Sequence, residues 1–152
     1  MHLAHYLGLL HRAQTNLADA FRQVGGAHGE EPDIAHLCQQ QAGVCDGHAE
    51  LLQPFAERYA EDAPSEPDRL HSELFRGTRT GGIGLLRDLQ DLYLMAAECD
   101  VCWTVVGQAA YGARDRELVQ VVSRCEGETA TQLKWLRTRM KQAAPQALVV
   151  AD

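Results

Sequence analysis

Outside its last stretch the chain has no run rich in lysine and arginine, and its formal net charge is −7 over 152 residues. A negative protein without a basic face is repelled by phosphate backbones and by anionic lipid, which argues against nucleic acid and membrane surfaces as partners. No apolar run reaches the length of a bilayer span. The first apolar stretch, Leu7 to Leu10, is too short for a secretion signal and sits inside a helical pattern, so a cytoplasmic location is the expectation. No Gly-x-Ser-x-Gly elbow is present to raise a nucleophilic serine. Gly81, Gly82 and Gly84 lack the lysine of a phosphate-cradling loop. Neither an internal repeat nor a strand signal occurs.

The five cysteines are an odd number. Cys99 and Cys102 form one C-x-x-C pair, but a zinc ribbon needs a second. Redox pairs of this spacing sit at a helix N-terminus, and this one falls in the middle of a helical pattern. Cys38 and Cys45 are two helical turns apart, roughly 10 Å by rise, and cannot bridge within one helix. Reduced, buried thiols acting as small hydrophobes are the simplest expectation.

What is present is helical amphipathicity. Hydrophobic residues make up 45% and charged residues 23%, enough for one folded domain with its own core. Leu3, Leu7, Leu10, Gln14, Leu17, Phe21 and Val24 recur in steps of four and three, which predicts a first helix from about His2 to Val24, ended by Gly25, Gly26 and Gly29. A second helix starts at Pro32, with a seam of Ile34, Cys38, Gln41, Cys45, His48, Leu52, Phe55 and Tyr59. Pro54 should bend it and Pro64 marks its end. A third runs from about Leu85 to Tyr111 and a fourth from about Arg116 to Ala143, with Asp115 as N-cap and Pro145 as the stop. Lys134, Arg137, Arg139 and Lys141 then read as a solvated, cation-rich helix end.

Between the second and third helices, residues from about Ala63 to Gly84 are numerous enough to travel the length of a bundle. Pro67 to Phe75 is expected to form a short helix there. The domain division is 1–145 for the bundle and 146–152 for an apolar tail, which either folds back or docks on a protein partner. His2, His5, His11, His28, His36 and His71 carry less weight as site residues; His2 and His5 share a face near the N-terminus that another subunit could complete, and exposure to solvent is the commoner case for terminal histidines.

Each of the four helices carries a polar or metal-ligating residue near its midpoint: Gln14, then Cys45 with His48, then Glu98, then Glu128. Burying such groups is costly unless they are paired. Bundles build two-metal sites from one Glu on each of two helices and a Glu-x-x-His pair on each of the others. The segments HYLGLLHRAQTNLADAFRQV and CEGETATQLKWLRTRMKQAAPQALVV resemble a bacterial family of the ferritin-like superfamily without assigned activity. The resemblance spans nearly the whole chain. It implies an all-α, ferritin-like four-helix bundle with a long crossover carrying the short helix, and a homo-oligomer, a dimer being favoured.

Carried across, the first-helix Glu matches Gln14 and the second-helix Glu-x-x-His matches Cys45-x-x-His48. The third-helix Glu matches Glu98, and the fourth-helix Glu-x-x-His matches Glu128-x-x-Thr131. Half of the ligand set survives, too little for ordinary di-iron chemistry. Cys102 lies one turn after Glu98, and Cys125 lies three residues before Glu128. A mixed site of Cys45, His48, Glu98, Cys102, Cys125 and Glu128 for one iron, zinc or copper ion is therefore the first expectation, since thiolate and imidazole select such metals. The alternative is a metal-free structural or interaction bundle, in which Gln14, Gln41, His48, Glu98 and Glu128 form a polar layer that fixes helix register. No residue is assigned a catalytic role.

Overall fold

The computed structural model describes residues 1–61, 63–71 and 73–150. It contains four long helices, α1 (Leu3–Ala27), α2 (Pro32–Ala60), α3 (Gly81–Gly112) and α4 (Arg116–Pro145), and a π-helical turn over Gln146–Val150; no strand occurs among the described residues. The helices pack in a ring, with α1 against α2 and α3, and α4 against α3 and α2. The four-three seams line the centre: Leu7, Leu10, Leu17, Phe21, Ile34, Leu52, Leu89, Leu92, Leu118 and Leu136 are all fully buried.

Ion pairs at the helix ends fix the directions. Arg139, late in α4, meets Asp33 at the start of α2 at 2.7 Å, and Arg58, late in α2, meets Asp115 at the start of α4 at 2.7 Å. Those helices are antiparallel. His28, just beyond α1, reaches Asp88 in the early turns of α3 at 2.8 Å, so α1 and α3 are antiparallel too. It follows that α2 and α3 run the same way and that the intervening segment returns along the bundle. The expected long crossover is present.

The helix expected at Pro67 to Phe75 is absent from the described residues of that stretch; Ser72, inside it, lies outside them. Asp68 and Arg69 make a turn with Arg69 at φ 60, and the other described residues of that stretch are not helical. A segment that must travel back along roughly 40 Å of helix gains about 3.3 Å per residue when extended and only 1.5 Å when helical. The crossover is held at its start by His5, whose Nε2 lies 2.6 Å from the Pro64 carbonyl oxygen.

Other boundaries also move. Gly25 and Gly26 lie inside α1, which ends with His28 bonding back to the Val24 carbonyl. The third helix starts earlier, at Gly81, whose φ of 73 suits glycine. Asp115 does cap α4, accepting from the Leu118 N–H at 3.1 Å. Pro145 does not stop the chain's winding: the missing N–H falls where α4 widens into the π-helical turn. The basic cluster is not merely solvated, because Arg139 pairs with Asp33 and Glu31, and Arg137 stacks on Tyr93 while donating to its hydroxyl. In the tail Ala147 docks on Leu86 and Ala143, whereas Leu148, Val149 and Val150 face outward. The last two tail residues, 151 and 152, lie outside the described residues.

Candidate functional site

Counting along the helices from the end contacts brings Gln14, His48, Trp103 and Glu128 to about one height. Gly25 sets the α1–α2 register, since a Cβ there would stand 3.0 Å from that of Cys38. At that height the interior holds a layer of polar side chains in separate hydrogen-bonded groups. The buried His48 donates from Nε2 to Glu128 at 3.3 Å, and the other Glu128 oxygen accepts from Arg124 at 3.1 Å. Trp103, fully buried, stands edge-on to His48 with ring centroids 5.6 Å apart. Its indole N–H donates to Thr129 at 3.0 Å, and the Thr129 hydroxyl donates to the Cys125 carbonyl at 2.9 Å. The Gln132 amide donates to the Gln41 carbonyl and to the Cys45 sulfur, both at 3.4 Å.

Some atoms of the layer have no protein partner. These are both amide atoms of Gln14, Nδ1 of His48 and Oε1 of Gln132. Such groups carry a desolvation cost of about 1–3 kcal/mol each.

Of the six residues expected to hold a metal, His48 and Glu128 are brought into contact. Cys45, Cys102 and Cys125 are buried as free thiols, and Glu98 is half-buried beside Cys99 and Cys102. Among the described residues no three His, Cys, Asp or Glu side chains are grouped to hold a metal ion. Thr131, where the resemblance has a histidine, is exposed and bonds the Gly127 carbonyl within its own helix. Gln14, Cys45 and Thr131 stand at three of the six positions where the resemblance would have ligands, and Glu128 is already engaged by His48 and Arg124. These residues do not fit a two-cation carboxylate centre.

The electrostatics follow burial. Desolvation pushes the Cys45 and Cys125 thiols up to about 12 and Cys102 up to about 11. Cys99 is held well above the ordinary thiol value, again chiefly by burial and next by Cys45. These sulfurs stay protonated at neutral pH and are poor nucleophiles. Burial lowers the His48 pKa, against the opposing pull of Glu128. The layer meets solvent at a groove of about 490 Å³ between α2 and α4, where Gly43 and Gly47 leave space beside His48, Arg124 and Glu128.

A second buried network was not anticipated. Asp88 and His28 are both fully buried. Asp88 accepts from His28 Nε2 at 2.8 Å, from the Arg79 backbone N–H at 3.0 Å and from the Arg79 guanidinium at 2.8 Å. Arg79 also binds Asp91 at 2.8 Å. Gly84 lets the first turn of α3 close on the crossover, since a Cβ there would stand 2.9 Å from the Arg79 carbonyl carbon. This network ties the end of α1, the crossover and α3 together, and its chemistry is that of a tether. Its one signal in the sequence is a carboxylate directly before Leu89, a leucine that the bundle buries fully.

No protein-family model, curated protein or solved structure matches the chain. The class is therefore drawn from the fold and the layer alone: an all-helical bundle of four helices with a polar centre.

Proposed function

We propose that this is a ferritin-like bundle whose ligand positions have been rebuilt as a metal-free polar layer, and that it serves as a non-catalytic protein-interaction module. The observation that carries this reading is Trp103. Its indole is fully buried in the layer, edge-on to His48, and fixed by its bond to Thr129. Its indole packs against His48, the one imidazole among the six residues expected to hold a metal. His48 Nε2, the Thr129 hydroxyl and the Gln132 amide nitrogen near it direct their hydrogen bonds to protein groups. Protonated thiols and an already paired Glu128 offer neither a nucleophile nor a general base with a reach to substrate.

Direct titration with Fe(II), Zn(II) and Cu(I) under anaerobic conditions tests the reading. The expected result is no site tighter than about 10 μM, or about −7 kcal/mol. A stoichiometric site in the nanomolar range would overturn it.

A second reading retains one transition-metal ion on Cys45, His48, Glu98, Cys102, Cys125 and Glu128. It draws on the unpaired Nδ1 of His48 and the unpaired amide of Gln14, which leave donor capacity unused at the centre. Under that reading the titration would be accompanied by thiol-to-metal charge-transfer absorption and proton release.

A further inference from the structure

The four helices do not close evenly. They pack tightly as α1 with α2 and as α3 with α4, and the seam between α2 and α4 is the slackest of the ring. Ion pairs latch that seam at both ends, Arg139 to Asp33 and Arg58 to Asp115. In the register these pairs set, Glu128 of α4 comes level with the stretch of α2 between Gly43 and Gly47. Glycine is disfavoured inside a helix unless a close approach requires it. No close approach explains these two, because a Cβ on either would meet nothing within 4 Å. They leave bare backbone along the groove of about 490 Å³.

We propose that this groove is a ligand site for a small organic cation, an ammonium group carried on an apolar body, with Glu128 as its counter-ion. The volume is that of a small-molecule pocket. Val44 and Leu51, both half-buried, join the glycine backbone as an apolar wall for the body. The polar groups select the head. Glu50 and Glu128 set two carboxylates against one guanidinium, that of Arg124, and Glu50 makes no ion pair. His48 adds no positive charge at neutral pH, because burial holds its pKa below the ordinary value. A cation is therefore attracted here and an anion repelled, and the formal net charge of −7 acts in the same sense. The Arg124–Glu128 pair does not block entry. Its side chains are 70% and 38% exposed, and an ion pair so open to water contributes little, so an incoming ammonium can replace the guanidinium.

A buried group on the same wall lacks a partner. His48 lines the groove and is 1% exposed, yet its Nδ1 has no protein partner. With the Nε2 hydrogen given to Glu128, Nδ1 is an unfilled acceptor. An ammonium carries three N–H donors, more than Glu128 alone can use. The site needs no protein partner, so it stands whether or not the chain is an interaction module.

Isothermal titration calorimetry of the full chain with 4-phenylbutylamine tests the site, with 4-phenylbutanol and 4-phenylbutyrate as neutral and anionic forms of the same body. The amine is expected to bind one per chain with a Kd of about 0.1–1 mM, as suits a ligand of its size. The alcohol should bind at least about tenfold more weakly, and the butyrate weaker still. Glu128→Gln should weaken the amine about tenfold. Gly47→Leu fills the groove and should abolish binding. Both variants should keep the helical circular dichroism, since Gln retains the acceptor for His48 and the space beside Gly47 is open. Amine-dependent shifts of the His48 ring signals by NMR, absent in Gly47→Leu, would place the ligand. No binding of the amine up to about 10 mM, tighter than which even a modest ligand should fall, overturns the proposal. Equal binding of the butyrate overturns it too. So does amine binding that survives both substitutions, which would be the general attraction of a cation to an acidic surface.

Discussion

Replacing Asp88 by alanine should destabilise the fold by about 3 kcal/mol, the lower end of the range for breaking a buried ion pair. The magnitude comes from three hydrogen bonds that break together, those donated to the carboxylate by His28 Nε2, the Arg79 backbone N–H and the Arg79 guanidinium. His28 cannot recover by turning to water, because it is fully buried. Arg79 can recover in part, because its side chain is 42% exposed and Asp91 still holds it. That is why the lower end applies. For a domain of about 150 residues this corresponds to a Tm lower by roughly 6–12 °C. The damage is also local. With Arg79 loosened, the crossover detaches from α3 first, so trypsin should cut at Arg69, Arg76 or Arg79 before the bundle unfolds. Urea unfolding with an unchanged m-value measures the first effect, and timed proteolysis with mass mapping measures the second. Asp91→Ala is the control. It removes one ion pair to an exposed arginine and should cost under about 1 kcal/mol. If Asp88→Ala costs no more than Asp91→Ala, the tether as drawn is wrong.

Three other outcomes are expected. Gln14→Leu should stabilise the protein by about 1–3 kcal/mol, since it removes two unpaired amide atoms from the core at similar volume; chemical denaturation would expose the opposite sign if the amide has a partner in solution. Asp115→Ala should cost about 2 kcal/mol in the same assay, because it removes the α4 N-cap together with the acceptor for Arg58 and the Tyr59 hydroxyl. His48 is held below its ordinary pKa in the folded state, so the unfolded chain takes up the proton first. Its contribution is therefore intact above about pH 6.5 and lost as pH falls through the lower folded value; stability measured from pH 7.5 to 5 should fall less steeply in His48→Gln than in the wild type.

The helices were legible because a seam repeats the same local test every three or four residues, and thirty residues of agreement outweigh any single exception. Asp115 was legible for a related reason, as a cap acts within its own first turn. The His28–Asp88 pair was not, because its members are sixty positions apart and only the packing of α1 on α3 brings them together. The helix expected over Pro67 to Phe75 failed on the same ground. Its start signal was local, and the need to travel back along the bundle is not. At the centre, the heights of Gln14, His48 and Glu128 could be read from periodicity. The partners could not: the bonds of Trp103 to Thr129 and of Gln132 to Cys45 join residues of different helices.

The central claim is that this layer holds no metal. Elemental analysis of freshly purified, untagged protein, paired with a thermal melt in the presence and absence of a strong chelator, tests it most directly. The account predicts substoichiometric transition metal and coincident melting curves. About one equivalent of iron, zinc or copper, with a melt that falls when the chelator is added, would contradict it.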